Sequence, residues 1–355
     1  MKDFFLKSTF PVLIFLLLSF LIISGCDNDK KQSSMEAAKV YVANEEGGSI
    51  SVIDLQNDST ATIDLTDSTG VKYDPHNVQV APDGRTVWAS GVPEDSTHQE
   101  QLIVIDAATG VIKARISVGK NLDLVHVVLD DESKNAFVSA NKGNSVIQVD
   151  AATYKMVRTF PLGKEHGPHG MRYANGKLYI ANMGSKSMSV LTVADGQVTD
   201  VPMGSMAAQV AVTRDDKYIF VSLIDSKEVA RYDLKTKLIN LIPLPGGAQG
   251  PIQLYATPDS KLLYVADQGG VMERPMSDKV YVIDIATSKV INTITTGQKA
   301  HGVVVSKDGE STYVTNSAVN TVSIINVATQ KVIRTIPVGK GPNGISYWFE
   351  TGGMP

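Results

Sequence analysis

Four of the six histidines in the chain, His76, His126, His169 and His301, are its best-equipped groups for chemistry. Three sit in closely similar contexts: Asp74-Pro75-His76-Asn77, Gly167-Pro168-His169-Gly170 and Lys299-Ala300-His301-Gly302. Gly341-Pro342-Asn343-Gly344 is a further variant with Asn in the histidine's place. Neutral imidazole is a ligand for copper, zinc or iron, so a set of such histidines could hold a transition metal. His98 and His166 are possible accessory ligands, as is Asn343. Met272 and Met276 offer soft thioethers that suit copper. The bland alternative is a solvated polar rim, with the methionines as ordinary loop residues. Nucleophilic chemistry finds less support. The chain has no Gly-x-Ser-x-Gly elbow, no phosphate loop and no His-Glu-x-x-His. The carboxylates Asp123, Asp130 and Glu165 admit a lactonase-like hydrolysis, although scattered acids are usually just solvated.

Residues this far apart can meet only in a fold that returns the chain many times to one place. The sequence provides one. A unit of about forty residues recurs along it, clearest at Thr312-Tyr313-Val314-Thr315-Asn316, Val322-Ser323-Ile324-Ile325-Asn326 and Val332 to Gly339. An aromatic marks the second strand of each copy: Tyr41, Trp88, Phe137, Tyr179, Phe220, Tyr264 and Tyr313. A third strand of alternating character closes on Asp54, Asp106, Asp150, Thr192, Asp233, Asp284 or Asn326. There a short polar side chain starts a tight turn. A fourth strand ends at Gly119, Gly163, Gly204, Gly246, Gly297 or Gly339. Apolar–polar alternation predicts half-buried strands, and short strands at even spacing predict an all-β, seven-bladed propeller of four-stranded blades. The first copy lacks a first strand. The segment Gly341 to Tyr347 reads as that strand, which would close the ring and remove exposed sheet edges.

The Tyr313-Val314-Thr315-Asn316 and Tyr41-Val42-Ala43-Asn44 signatures, with the Val-Ile-Asp-x-Ala-Thr turns, resemble the YVTN family of seven-bladed, WD40-like propeller repeats. The family includes YncE-like periplasmic proteins. The resemblance covers residues 39–348 and implies an exported propeller. It implies no particular activity, because such folds host many functions. Leu223 departs from the motif's Asn, and Phe137-Val138-Ser139-Ala140-Asn141 shifts it by one place.

Aligning the copies puts His76, Val125, His169, Ala208, Ile252, His301 and Asn343 in one column. Asn77, His126, Gly170, Gln209, Gln253, Gly302 and Gly344 form the next. The column lies where first strands begin, at the mouth of a central channel. His126, one place out of step, has no settled direction. Two loops between second and third strands, Gly91–Glu100 and Gln268–Asp278, are long and should rise on the same face.

The amino terminus reads as a signal peptide. Lys2 and Lys7 precede the apolar run Val12 to Ile23, and Ile23-Ser24-Gly25-Cys26 resembles a bacterial lipobox. That resemblance implies removal of residues 1–25 and diacylglyceryl and palmitate-type acylation of Cys26, the single cysteine. Residues 26–38 form a polar tether, 39–348 the propeller and 349–355 a tail. The expected place is extracytoplasmic, at a bacterial membrane, on the periplasmic side or the cell surface. Loss of Lys2, Lys7 and Asp3 takes the formal charge from −4 to −5. With no basic stripe, nucleic acid is excluded as a partner. The leading functional expectation is a monomeric binding or scaffold protein that takes a protein or small ligand at its top face and funnel. The alternative is a copper-like or haem-type cofactor protein, and a lactonase-like hydrolase comes third.

Overall fold

The computed structural model describes residues 38–349, with residue 1 and the backbone of 352–353. Cys26, the apolar leader and most of the tether lie outside them. Among the described residues no helix is long and apolar enough to cross a membrane. The strands form seven antiparallel sheets around one axis. The innermost strands, taken in order from blade 2 round to blade 1, are Val78–Val80, Leu124–Leu129, Pro168–Ala174, Ala207–Val212, Pro251–Ala256, Ala300–Val305 and Pro342–Phe349. The last pairs with Ala38–Asn44, Val40 opposite Tyr347 and Val42 opposite Ile345, so the C-terminal strand completes the first blade as expected. A short strand, Gly352–Gly353, adds to its outer end within the expected tail.

The alternation read along all strands holds only for some. The second strand Ala136–Ala140 is buried throughout, whereas the outer strand Lys155–Pro161 is exposed except at Phe160. Middle strands lie between two neighbouring sheets and so have no wet face. In Ala38–Asn44, Val40 and Val42 enter a cluster with Val304, Tyr313 and Val322 of blade 7. Tyr41 and Ala43, on the other side of the pleat, enter a cluster with Val78, Val87 and Ile103 of blade 2. The core is therefore a set of wedges between blades. The repeated aromatics fill these wedges: Phe137 and Phe220 are fully buried, each contributing about 1.5–3 kcal/mol by removal from water.

The polar positions of the repeat have structural roles. The carboxylates of Asp106, Asp150 and Asp233 accept backbone N–H bonds two and three residues on. The motif asparagines act one layer deeper: Asn44 Nδ2 donates to Ser49 and Ser51, and Asn182 Nδ2 to Ser187 and Ser189. At Gly339 an added Cβ would lie 2.3 Å from Asn44 Nδ2, so close approach to this asparagine, and not a left-handed turn, requires glycine there.

Candidate metal centre at the hub

Every first strand from blade 3 round to blade 1 has a β-bulge where the two sequence columns fall. Pairing skips from Leu124–Ala140 to Val127–Val138, from Pro168–Asn182 to Met171–Ile180, and from Ala300–Asn316 to Val303–Val314. Two residues thus oppose one, and a bulge re-aims both side chains. In blade 2 the inner strand is interrupted between Asp74 and Val78 at the same place. His126 therefore reaches the hub from the second column while His76 and His169 reach it from the first.

Hydroxyls opposite the bulges hold them. Ser139 Oγ accepts from His126 N–H and donates to the His169 carbonyl at 2.7 Å. Ser222 does the same between Gln209 and Ile252, and Thr315 between Gly302 and Asn343. Each hydroxyl fastens one blade's bulge to that of the next.

This scaffold brings His76, His126 and His169 together, with one ring nitrogen from each lying within 4.8 Å of the others. Ring centroids are 5.6 Å apart for His76 and His126, 5.1 Å for His76 and His169, and 5.3 Å for His126 and His169. His301 stands 6.2 Å from His76, beside but outside the trio. His126, His169 and His301 are buried, and His76 is partly so. The Nε2 atoms of His76 and His126 are buried with no hydrogen-bond partner, a costly arrangement for a polar atom.

The other ring nitrogens are occupied. His76 Nδ1 lies 2.8 Å from Glu45 Oε1, and the second Glu45 oxygen accepts from Asn343 Nδ2 at 2.5 Å. His169 Nδ1 donates to the Ala208 carbonyl at 2.8 Å, which leaves its Nε2 with a lone pair. Gln209 Nε2 faces His126 Nδ1 at 3.4 Å, and Gln253 Nε2 faces His301 Nδ1 at 3.5 Å. Gln209 Oε1 accepts from Val210 N–H, which fixes which end of the amide faces the imidazole.

Charge follows from these partners. Burial alone would depress His76, but the charge and hydrogen bond of Glu45 outweigh it and raise its pKa. Burial works against ionisation of Glu45 too, yet His76 and Asn343 bring it down to about 2. Burial and then the charge of His76 lower His169 and His301 to about 3. Burial, with His169 and His76, lowers His126 well below the ordinary range. The hub therefore holds one readily protonated imidazole on a carboxylate and three imidazoles kept neutral, the form that binds metal.

The remaining candidates lie elsewhere. Asn343 is at the hub, one link away through Glu45. His98 pairs with Asp95 at 2.9 Å within its exposed loop, and His166 with Asp200 at 2.9 Å. The two long loops are shorter than expected, because strands Thr86–Pro93 and Met276–Asp284 run into them. Met272 and Met276 are exposed. Arg274 ties its loop to the carbonyls of Ile224, Gln249 and Asp225. Asp130 is not at the histidine mouth: it caps the turn at Lys134 and Asn135, beyond the far end of its strand. Sequence reasoning missed Glu45. Its signal was an acid directly after the motif's strand, where other blades carry Asn141, Met183, Ile224, Gln268 and Ser317.

Residues 175–350 match the family model of YNCE-like beta-propellers. No curated protein matches the chain in sequence. Among solved structures, selenomethionine-substituted virginiamycin B lyase from Staphylococcus aureus superposes with a TM-score of 0.63 at 15% identity, covering 79% of this chain and 92% of that one. Apo AztD from Citrobacter koseri gives 0.65 at 12% identity, over 90% and 99%. A candidate 6-phosphogluconolactonase from Bacteroides fragilis gives 0.69 at 14%, over 89% and 99%. At these identities the likeness is one of fold. Residues 175–350 belong to the YNCE-like β-propeller family, and the preceding strands complete the same seven-bladed ring.

Proposed function

We propose that this chain is a lipid-anchored, extracytoplasmic binding protein whose propeller hub takes up a transition-metal ion, copper or zinc, through His76, His126 and His169. The observation that carries this is the convergence of three imidazole nitrogens within 4.8 Å, two of the rings having a buried, unpartnered Nε2. Tetrahedral ligands with bonds of about 2.1 Å stand about 3.4 Å apart, so small side-chain rotations would close the set around an ion. The Glu45 carboxylate behind His76 completes a carboxylate–histidine pair of the kind that orients metal-ligating imidazole. His301, buried beside the trio, is the candidate for a fourth ligand.

The anchor rests on the leader and Cys26 and is tested separately. Replacement of Cys26 by Ser should move the protein from the membrane fraction to the soluble extracytoplasmic fraction. The metal reading is tested with untagged protein: elemental analysis and calorimetric titration with Cu(II) and Zn(II). One ion per chain is expected, with binding lost in His126→Ala and His169→Ala. Wild-type protein that takes up neither ion at micromolar concentration would overturn the reading, as would undiminished uptake by both variants.

A further inference from the structure

The opposite mouth of the channel carries a second, unrelated constellation. Where the inner strands of blades 4, 5 and 6 end, a cavity of about 220 Å³ opens between Arg172, Ala211, Arg214 and Tyr255. It is smaller than the ~300–1,000 Å³ typical of sites for drug-sized ligands. Arg172, on the inner strand of blade 4, reaches across blade 5, where Ala211 leaves the space open. Its guanidinium carbon stands 5.6 Å from the Tyr255 ring centroid in blade 6. One guanidinium nitrogen donates to the Met171 carbonyl. Among the described residues no carboxylate lies within ion-pair distance of Arg172 or Arg214, although Asp131 and Asp216 line the same cavity. Among the described arginines only Arg334 has a carboxylate partner, Asp58. Arg115, Arg158, Arg231 and Arg274 are held by carbonyls, amides or hydroxyls of other segments. Arg172 instead has the carbonyl of its own neighbour Met171 and an open cavity beside it. A partly buried guanidinium braced on an aromatic face, with donors left over, matches the planar fork of a carboxylate.

We infer that this mouth is a binding site for a small organic acid, whose carboxylate is held by Arg172 and steered by Arg214 against the Tyr255 and Ala211 wall. The two aspartates at the rim disfavour a doubly charged group such as phosphate, which selects a monoanion. The site stands at the ends of the inner strands and the histidines at their starts, so it does not depend on the metal reading.

The test is calorimetric titration of the purified protein with benzoate and, separately, with inorganic phosphate. Benzoate should bind saturably and more tightly than phosphate. Arg172→Gln should weaken benzoate by about tenfold or more, the loss expected for one charge-assisted pair. Arg172→Lys, which keeps the charge without the fork, should weaken it with an unchanged melting temperature. Arg214→Gln, at an exposed position, should give a smaller loss. His126→Ala should leave benzoate affinity unchanged. Absence of saturable benzoate binding, tighter phosphate binding, equal affinity in Arg172→Gln, or loss in His126→Ala would each overturn the assignment.

Discussion

The Glu45 carboxylate meets His76 Nδ1 at 2.8 Å and, through its other oxygen, Asn343 at 2.5 Å. Blade 1, blade 2 and the ring-closing strand thus meet at one acid. This contact holds the His76 proton at Nδ1 and turns Nε2, which has no protein partner, toward the hub. Loss of such an outer partner typically weakens metal affinity by about 10–100-fold. Glu45→Gln should therefore raise the dissociation constant for Cu(II) or Zn(II) into that range while leaving the fold intact. Calorimetric titration beside circular dichroism checks both parts, and an unchanged metal affinity would remove Glu45 from the centre.

The same pair sets the direction of pH dependence. His76 has a raised pKa, so the free protein carries a proton there that an incoming ion must displace. Metal affinity should rise with pH up to that raised pKa, with about one proton released per ion. Calorimetry in buffers of differing ionisation enthalpy counts that proton. Stability of the metal-free protein should move the same way at lower pH. His169 and His301 titrate near 3 in the fold, against an ordinary 6.5. The unfolded chain therefore binds more protons below about pH 6.5, and stability falls as pH drops from there toward 3. The Glu45–His76 pair adds stability between the ordinary Glu value of 4.5 and the raised His76 value. A melting temperature that stayed flat between pH 6.5 and 4.5 in wild type, or fell as steeply in His169→Ala, would contradict this.

The ring and the histidine column were legible in the sequence because both repeat. Tyr41, Phe137 and Tyr313 occupy equivalent wedges, and His76 and His169 stand at equivalent places, so comparison of copies finds them. The bulge was not legible. A one-residue offset between Ala140-Asn141 and the motif hinted at irregularity, but strand alternation would have turned His126 away from His76. The structure instead gives both columns access to the channel. Glu45 escaped because its repeat position carries a different residue type in the other blades, so comparison of copies gives no column for it. Among the described residues only blade 1 forms a 3-10 turn there. The cavity at Arg172 escaped because it needs side chains from three blades that share no motif.

Bulge packing leaves no room at Gly302. A Cβ there would stand 2.2 Å from the backbone oxygen of Asn343 and 3.0 Å from Thr315 Oγ1. The contact is between backbones of blade 7 and the closing strand, so neither side has a flexible tip to move. Gly302→Ala should destabilise by about 1–3 kcal/mol, the usual cost of overpacking. Urea unfolding reads that loss, and a midpoint equal to wild type would show that the closing strand has slack.

The motif asparagines differ in how completely they are satisfied, and their replacement should differ in cost. Asn316 Nδ2 donates to Thr321 and Ser323, and its Oδ1 accepts from Gly297 N–H at 2.9 Å. Asn182 makes the two corresponding serine contacts, but its Oδ1 is buried without a partner. Alanine at 316 leaves a backbone N–H and two hydroxyls without their amide. Alanine at 182 takes the amide from Ser187 and Ser189, which keep Ser185 and Asp200 as partners, and also removes an unsatisfied oxygen. Each buried group left unpaired costs about 1–3 kcal/mol, so Asn316→Ala should be the more destabilising by about that amount. Parallel urea titrations of the two variants measure the difference. Equal losses would mean that the Gly297 contact contributes nothing, and that blade 7 owes its regular motif to side-chain packing alone.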